Sequence, residues 1–276
     1  MDQINRRQFL QAGGGIIALV LSESSRSALP QKVGNSPNIV DFLYAKQLQA
    51  GDEAKQTFDI EEADPRAVWT ANGGELEGRI DKEGQRSDYG VLLSNQSVRY
   101  GNKLVVEAKL PILHPTQGSA ALSYWQGVAF EGNDGWLYTA EIKPHLTRDG
   151  REVEKRADQY RISRIKLHAD RTEAEVIGDS PSNIGRDGKP AQDGKNFHRH
   201  RWQGTTLRLE ADRDSIELYI NGTQFPVYMP GKAETPDFAA MYSGLPEHGK
   251  VGLVIADHGA ITRPLYFRAE GQKIGK

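Results

Sequence analysis

GTTLRLEADRDSIELYINGTQF, residues Gly204 to Phe225, alternates apolar and polar side chains on both sides of a polar turn. Leu207, Leu209 and Ala211 alternate with Arg208, Glu210 and Asp212. Beyond Asp212-Arg213-Asp214-Ser215, Ile216, Leu218 and Ile220 alternate with Glu217 and Tyr219. Successive side chains of a strand point to opposite faces, so this period describes two strands covered on one side only. The second strand ends in Asn221-Gly222, a pair that tolerates the positive φ angles of a tight reversal, and the chain should turn back there into Thr223-Gln224-Phe225. An antiparallel all-β domain follows.

The same period recurs along the chain. Strands are expected at Leu76–Ile80 after Trp69 and a Gly73-Gly74 turn, at Gly90–Leu93, and at Lys103–Leu110, which Pro111 ends because it has no N–H to give a ladder. Ala120–Phe130 and Trp136–His145 flank a turn at Asn133-Asp134-Gly135. Tyr160–His168, Thr172–Ile177, Val251–Ile255 and Leu265–Ala269 complete the set. No long segment has helical periodicity. With 276 residues, 37% of them hydrophobic, the chain suits one large β domain. Residues 67–276 are assigned to that domain, with a charged, glycine-rich insertion at about 146–200. Residues 28–66 read as a linker and lead-in segment, in which Ile39–Gln49 forms either a short helical turn or a first edge segment.

The N-terminus, Asn5-Arg6-Arg7-Gln8-Phe9-Leu10, is followed by Gly13-Gly14-Gly15 and an apolar run from Ile16 to Leu21. An arginine pair before a short apolar segment has the pattern of a twin-arginine export signal over residues 1–27, with the export machinery as its partner. The run is shorter than the roughly 20 residues that span a bilayer, so no stable membrane insertion of the remaining chain is expected, and the expected location is periplasmic or secreted. Formal charge is −2 for the whole chain, and 32 basic residues face 35 acidic ones once residues 1–27 are set aside. This balance offers no general attraction to nucleic acid. The absence of cysteine excludes disulfides, thiolate metal sites and thiol nucleophiles.

Gly74-Glu75-Leu76-Glu77-Gly78 after Trp69, Gly135-Trp136-Leu137-Tyr138-Thr139-Ala140-Glu141-Ile142, Asn221-Gly222, Gly249-Lys250-Val251-Gly252-Leu253 and Asp257-His258-Gly259 before Phe267-Arg268 occur in that order. Together they resemble the 3-keto-disaccharide hydrolase domain family, within the laminin-G and concanavalin-like jelly rolls. The resemblance implies a two-sheet antiparallel β-sandwich whose concave face receives a carbohydrate ligand, and a hydrolase acting on 3-keto-glycosides with Glu141 at the family's glutamate. It specifies no cofactor.

In Trp136–His145 the alternation puts Trp136, Tyr138, Ala140 and Ile142 on one face and Leu137, Thr139, Glu141, Lys143 and His145 on the other. Acid–base work on a glycoside needs a carboxylate or imidazole near a proton and a cation to tune it, which makes Glu141, Lys143 and His145 the catalytic candidates. His258 joins them through the Asp-His-Gly match. A solvated salt pair on an outer strand face is the plainer account of the same residues. Tyr124, Trp125, Trp136 and Tyr138, on neighbouring strands, are the candidate sugar-stacking residues, with core packing as their alternative. His198 and His200, two apart, could share a metal with Asp257 or His258, but a basic surface strand flanked by arginine is the plainer account of them, and no metal site is assigned. A non-catalytic, lectin-like carbohydrate-binding module is the rival to an enzyme.

Overall fold

A computed structural model describes residues 39–43, 57–61, 63, 65–72, 75–80, 89–111, 124–143, 158–180, 204–228, 237, 239–242, 244–257 and 259–271. Every strand pairing among them is antiparallel. A seven-stranded sheet runs β1 (Ile39–Leu43), β18 (Tyr266–Gly271), β6 (Leu104–Leu110), β11 (Thr205–Ala211), β12 (Ser215–Ile220) and β13 (Thr223–Phe225), with β14 (Ala240–Met241) also on β12. A six-stranded sheet runs β10 (Thr172–Asp179), β9 (Gln159–Leu167), β8 (Leu137–Lys143), β7 (Trp125–Glu131), β16 (Val251–Ala256) and β4 (Tyr89–Leu93). Smaller sheets join β5 (Val98–Arg99) to β15 (His248–Gly249), and β2 (Val68–Asn72) to β3 (Glu75–Arg79) and β17 (Ile261–Thr262). No helix among the described residues is long and apolar enough to cross a membrane.

The hairpin forms in the register its alternation requires. Leu207 pairs with Ile220, Leu209 with Leu218 and Ala211 with Ile216, and all six side chains are buried. Asn221 and Gly222 adopt φ of 51° and 79°, both left-handed, which turns β12 into β13. At the other end of β12, Asp212 Oδ1 accepts the N–H groups of Asp214 and Ser215 at 2.9 and 2.8 Å. Against the cost of its desolvation, these donors hold the Asp212 carboxyl below the ordinary range.

The two large sheets form a jelly-roll sandwich, with β6 over β7 and β11 over β7 and β8. Val106, Ala108, Leu207 and Leu209 from one inner face share a core with Val128, Phe130, Ala140 and Ile142 from the other. Each fully buried Leu, Ile or Phe contributes about 1.5–3 kcal/mol. The six-stranded sheet is also apolar on its other face, where Tyr89, Val91, Trp125, Leu137, Ile165, Val254 and Ala256 form a second cluster.

The strands expected within 146–200 and the edge-segment alternative for Ile39–Gln49 both join the large sheets. From the lead-in, β1 lies at a sheet edge with Ile39 opposite Glu270, and Phe58 is buried with its ring edge-on to Phe267 at 5.2 Å. From the 146–200 excursion, β9 and β10 extend the six-stranded sheet, and Tyr160 and Ile162 enter the core. The apolar signal is weak there because β10 is an edge strand whose Glu173, Ala174 and Glu175 are exposed. Residues 1–27, 146–157 and 181–200 lie outside the described residues.

Candidate functional site

β8 places Leu137, Thr139, Glu141 and Lys143 on the outer face of the six-stranded sheet, while Tyr138, Ala140 and Ile142 point into the core. Its neighbours supply what surrounds Glu141. On β9, Arg161 stands opposite Glu141 and Ser163 opposite Thr139; on β7, Gly127 stands opposite Glu141. A Cβ on Gly127 would lie 2.0 Å from the Ala140 carbonyl oxygen, so only glycine allows this approach of the two strands.

Glu141 is fully buried and fully engaged. Arg161 donates Nε–H and an Nη2–H to its Oε2 at 3.0 and 2.7 Å, and Thr139 donates its hydroxyl to Oε1 at 2.5 Å. A further Arg161 Nη2–H goes to the Tyr89 hydroxyl at 2.7 Å. The guanidinium lies 3.9 Å from the centre of the Trp125 ring. Such stacking on an indole adds a cation–π attraction to the ion pair. Desolvation works against the Arg161 charge, but the Glu141 carboxylate, with Tyr89 and Asp257, outweighs it and holds the guanidinium pKa above its ordinary value. Burial raises the Tyr89 phenol pKa, Glu141 raises it further, and Arg161 opposes both.

A more open pair lies beside this buried one. Lys143 Nζ contacts Asp257 Oδ2 at 2.8 Å, with the two side chains 21% and 25% exposed, and the same ammonium is 5.4 Å from the Trp125 ring. Asp257 follows β16 directly and has a φ of 80°. A side-chain-bearing residue there is strained, and such strain concentrates at functional positions. The cluster therefore carries two carboxylates, two cations, a phenol and an indole on one sheet face.

The structure thus brings Glu141, Lys143 and Trp125 together and adds Arg161, Tyr89, Thr139 and Asp257. Arg161 could be placed from its sequence, because it alternates with Tyr160 and Ile162, but its partner could not. Tyr124 and Tyr138 lie elsewhere, 0% and 1% exposed in the core, where no sugar ring can reach them. Large aromatic rings fill the space between two sheets more effectively than smaller side chains, which accounts for the difference from the stacking expectation. Trp136 is half-buried at the far end of β8, 4.6 Å from the Arg164 guanidinium, and lines a groove of about 420 Å³. His145, His198, His200 and His258 lie outside the described residues. Among the described residues no three His, Asp or Glu side chains are grouped to hold a metal ion.

No protein-family model matches this chain, and no curated protein matches it significantly in sequence. Among solved structures it is similar to the carbohydrate binding module CBM66 from Bacillus subtilis, at 16% identity over 74% of this chain and 92% of that one, with a TM-score of 0.43. It is also similar to the potassium-bound Emp46p carbohydrate recognition domain, at 10% identity over 87% and 99% of the two chains and a TM-score of 0.43. The laminarinase catalytic domain from Thermotoga maritima MSB8 shares 14% identity over 76% and 82%, with a TM-score of 0.36.

Proposed function

We propose that this is an exported carbohydrate-active protein whose sugar site is the outer face of the six-stranded sheet around Trp125, Arg161, Lys143 and Asp257. The observation that carries the reading is the buried Arg161–Glu141 pair, set beside an apolar cluster on the same sheet face. Desolvating two charges gains little stability compared with a well-packed apolar pair, so a buried ion pair is better evidence for a site than for a staple. Here the pair holds a guanidinium against an indole and leaves a half-open Lys143–Asp257 pair beside it. Sugars present hydroxyls that both give and accept hydrogen bonds, which the half-open Lys143–Asp257 pair can meet, while the buried Trp125 indole supports the two cations from beneath.

In this reading Glu141 is a positioning residue. Its two oxygens are occupied by Arg161 and Thr139, and it holds the guanidinium in register for the ligand. Calorimetric titration of the full chain with a panel of oligosaccharides, comparing wild type with Asp257→Asn and Trp125→Ala, tests the site. Binding that both substitutions abolish supports it; failure of every glycan to bind overturns it.

A second reading is favoured by the presence of two carboxylates, Glu141 and Asp257, around one arginine. It is hydrolysis of a 3-keto-glycoside, as the family resemblance implies, with His145 and His258 as further candidates. Asp257, being part-exposed, is then the proton-transfer group and Glu141 again positions Arg161. Product formation from 3-keto-glycosides should fall by a factor on the order of 10²–10⁴ in Asp257→Asn with ligand affinity retained. Unchanged turnover in Asp257→Asn combined with its loss in Glu141→Gln would return the proton transfer to Glu141.

A further inference from the structure

β10 carries a one-residue bulge. Its pairing with β9 sets Ala174 opposite Ile165 and Val176 opposite Ser163, passes over Ile177, and resumes with Gly178 opposite Ile162 and Asp179 opposite Arg161. Unbroken alternation would have set Gly178 opposite Arg161 and turned Asp179 to the core side with Tyr160. The extra residue therefore delivers Asp179 to the outer face, in the row that already holds Arg161 and Glu141. Packing fixes the bulge in place: a Cβ on Gly178 would lie 2.9 Å from the Val227 Cβ, and Ile177 packs on the main core. The Asp179 N–H donates to the Tyr228 carbonyl at 3.0 Å, and its own carbonyl accepts the Tyr228 N–H at 2.8 Å.

Oδ1 of Asp179 accepts the Ser180 N–H and hydroxyl at 2.8 and 3.4 Å, while Oδ2 accepts no hydrogen bond among the described residues. Asp179 is exposed to water, yet burial raises its carboxyl pKa; Glu141 adds to the rise, and the Ser180 donors and Arg161 oppose it. A side chain that water reaches and protein still desolvates stands in a recess of the surface. A perturbed carboxyl in a recess beside a guanidinium marks a place where ligand contacts concentrate.

We propose that Asp179 is a second contact point of the sugar site, and that the ligand is a neutral oligosaccharide of at least two units laid across β8, β9 and β10. This rests on the carbohydrate reading above. One unit sits at Lys143 and Asp257. Two strand spacings, roughly 10 Å, separate β8 from β10, so the next unit passes over Arg161 and donates a hydroxyl to the open Asp179 oxygen. Glu141, Asp179 and Asp257 outnumber Arg161 and Lys143 along this path, so a carboxylate-bearing unit would meet like charge.

The test is calorimetric titration of the full chain with gluco-, manno-, xylo- and galacto-oligosaccharides of increasing length, starting from the monosaccharides, and with oligogalacturonate beside its carboxyl-reduced form. At least one neutral series should gain tenfold or more in affinity beyond the first unit. Asp179→Asn keeps an oxygen for the Ser180 N–H and removes the charge. It should weaken binding of the longer glycan about tenfold, as the loss of one charge-assisted contact predicts, with the native near-ultraviolet circular dichroism retained. Asp257→Asn should weaken short and long glycans alike. Unchanged long-glycan affinity in Asp179→Asn, with Asp257→Asn still damaging, overturns the second contact and leaves the sugar site standing. Affinity that does not grow with length overturns it as well. Tighter binding of oligogalacturonate than of its reduced form overturns the neutral class, and no binding by any glycan defeats both readings.

Discussion

Arg161→Leu tests whether the buried pair is what organises the sheet face. The substitution removes both donors from Glu141 Oε2 while Glu141 stays at 0% exposure, with only the Thr139 hydroxyl left to it. Breaking one partner of a buried ion pair costs about 3–5 kcal/mol, because the remaining charge is uncompensated. The Arg161 side chain is 16% exposed, so some water can reach the vacated space and the lower end applies, about 3 kcal/mol. For a domain of this size, that lowers Tm by roughly 6–12 °C. Adding Glu141→Leu should restore most of the loss, since two apolar side chains of similar volume replace both charges on a face already lined by Val91, Leu137 and Ile165. Urea and thermal unfolding of the wild type, both single variants and the double variant yield the coupling directly. Calorimetry on the same four proteins supplies the functional half, because the double variant should be folded and unable to bind sugar. A loss below about 0.5 kcal/mol in Arg161→Leu, the scale of an ordinary surface change, would refute the energetic reasoning. So would a double variant no more stable than the single one. Full glycan binding by the double variant would refute the placement of the site.

Gly222→Ala puts a Cβ on a residue at φ of 79° and should cost about 1 kcal/mol in urea unfolding, whereas stability equal to wild type would mean the turn is of another type. Replacing Arg6 and Arg7 by lysine should leave unprocessed precursor inside the cell, and normal processing would remove the export assignment. Burial, with Glu141 beside Tyr89 and Glu131 beside Tyr100, holds both phenols above the ordinary range, and Tyr219, hydrogen-bonded to Glu217, is pushed up to about 12. A raised folded pKa contributes stability that is full below the unfolded value near pH 10 and is lost as pH rises through the folded value. The chain should therefore destabilise progressively above about pH 10, with a fraction of the phenolate absorbance appearing only on unfolding. Ionisation of every tyrosine near pH 10 in a chain still native by near-ultraviolet circular dichroism would contradict this.

What the sequence determined by itself was local. Alternation is a property of neighbouring residues, so the faces of β8, β11 and β12 were legible from it, and with them the fact that Glu141 and Lys143 share a side. Asn221-Gly222 was legible for the same reason, because a turn type depends on the φ values its own residues tolerate. The tertiary structure decided everything that depends on a partner distant in the chain. Arg161 reads as one more charge in a charged stretch until β9 pairs with β8 and places it opposite Glu141, 20 residues away. Asp257 joins Lys143 across 114 residues through the end of β16. The aromatic residues divide on the same ground: Tyr124 and Tyr138 fill the space between the sheets, Trp125 lies under Arg161 and Lys143, and Trp136 lines a groove. The alternation of a strand fixes which way a ring points, but whether a second sheet, a cation or open water meets it there depends on strands that pair from elsewhere in the chain.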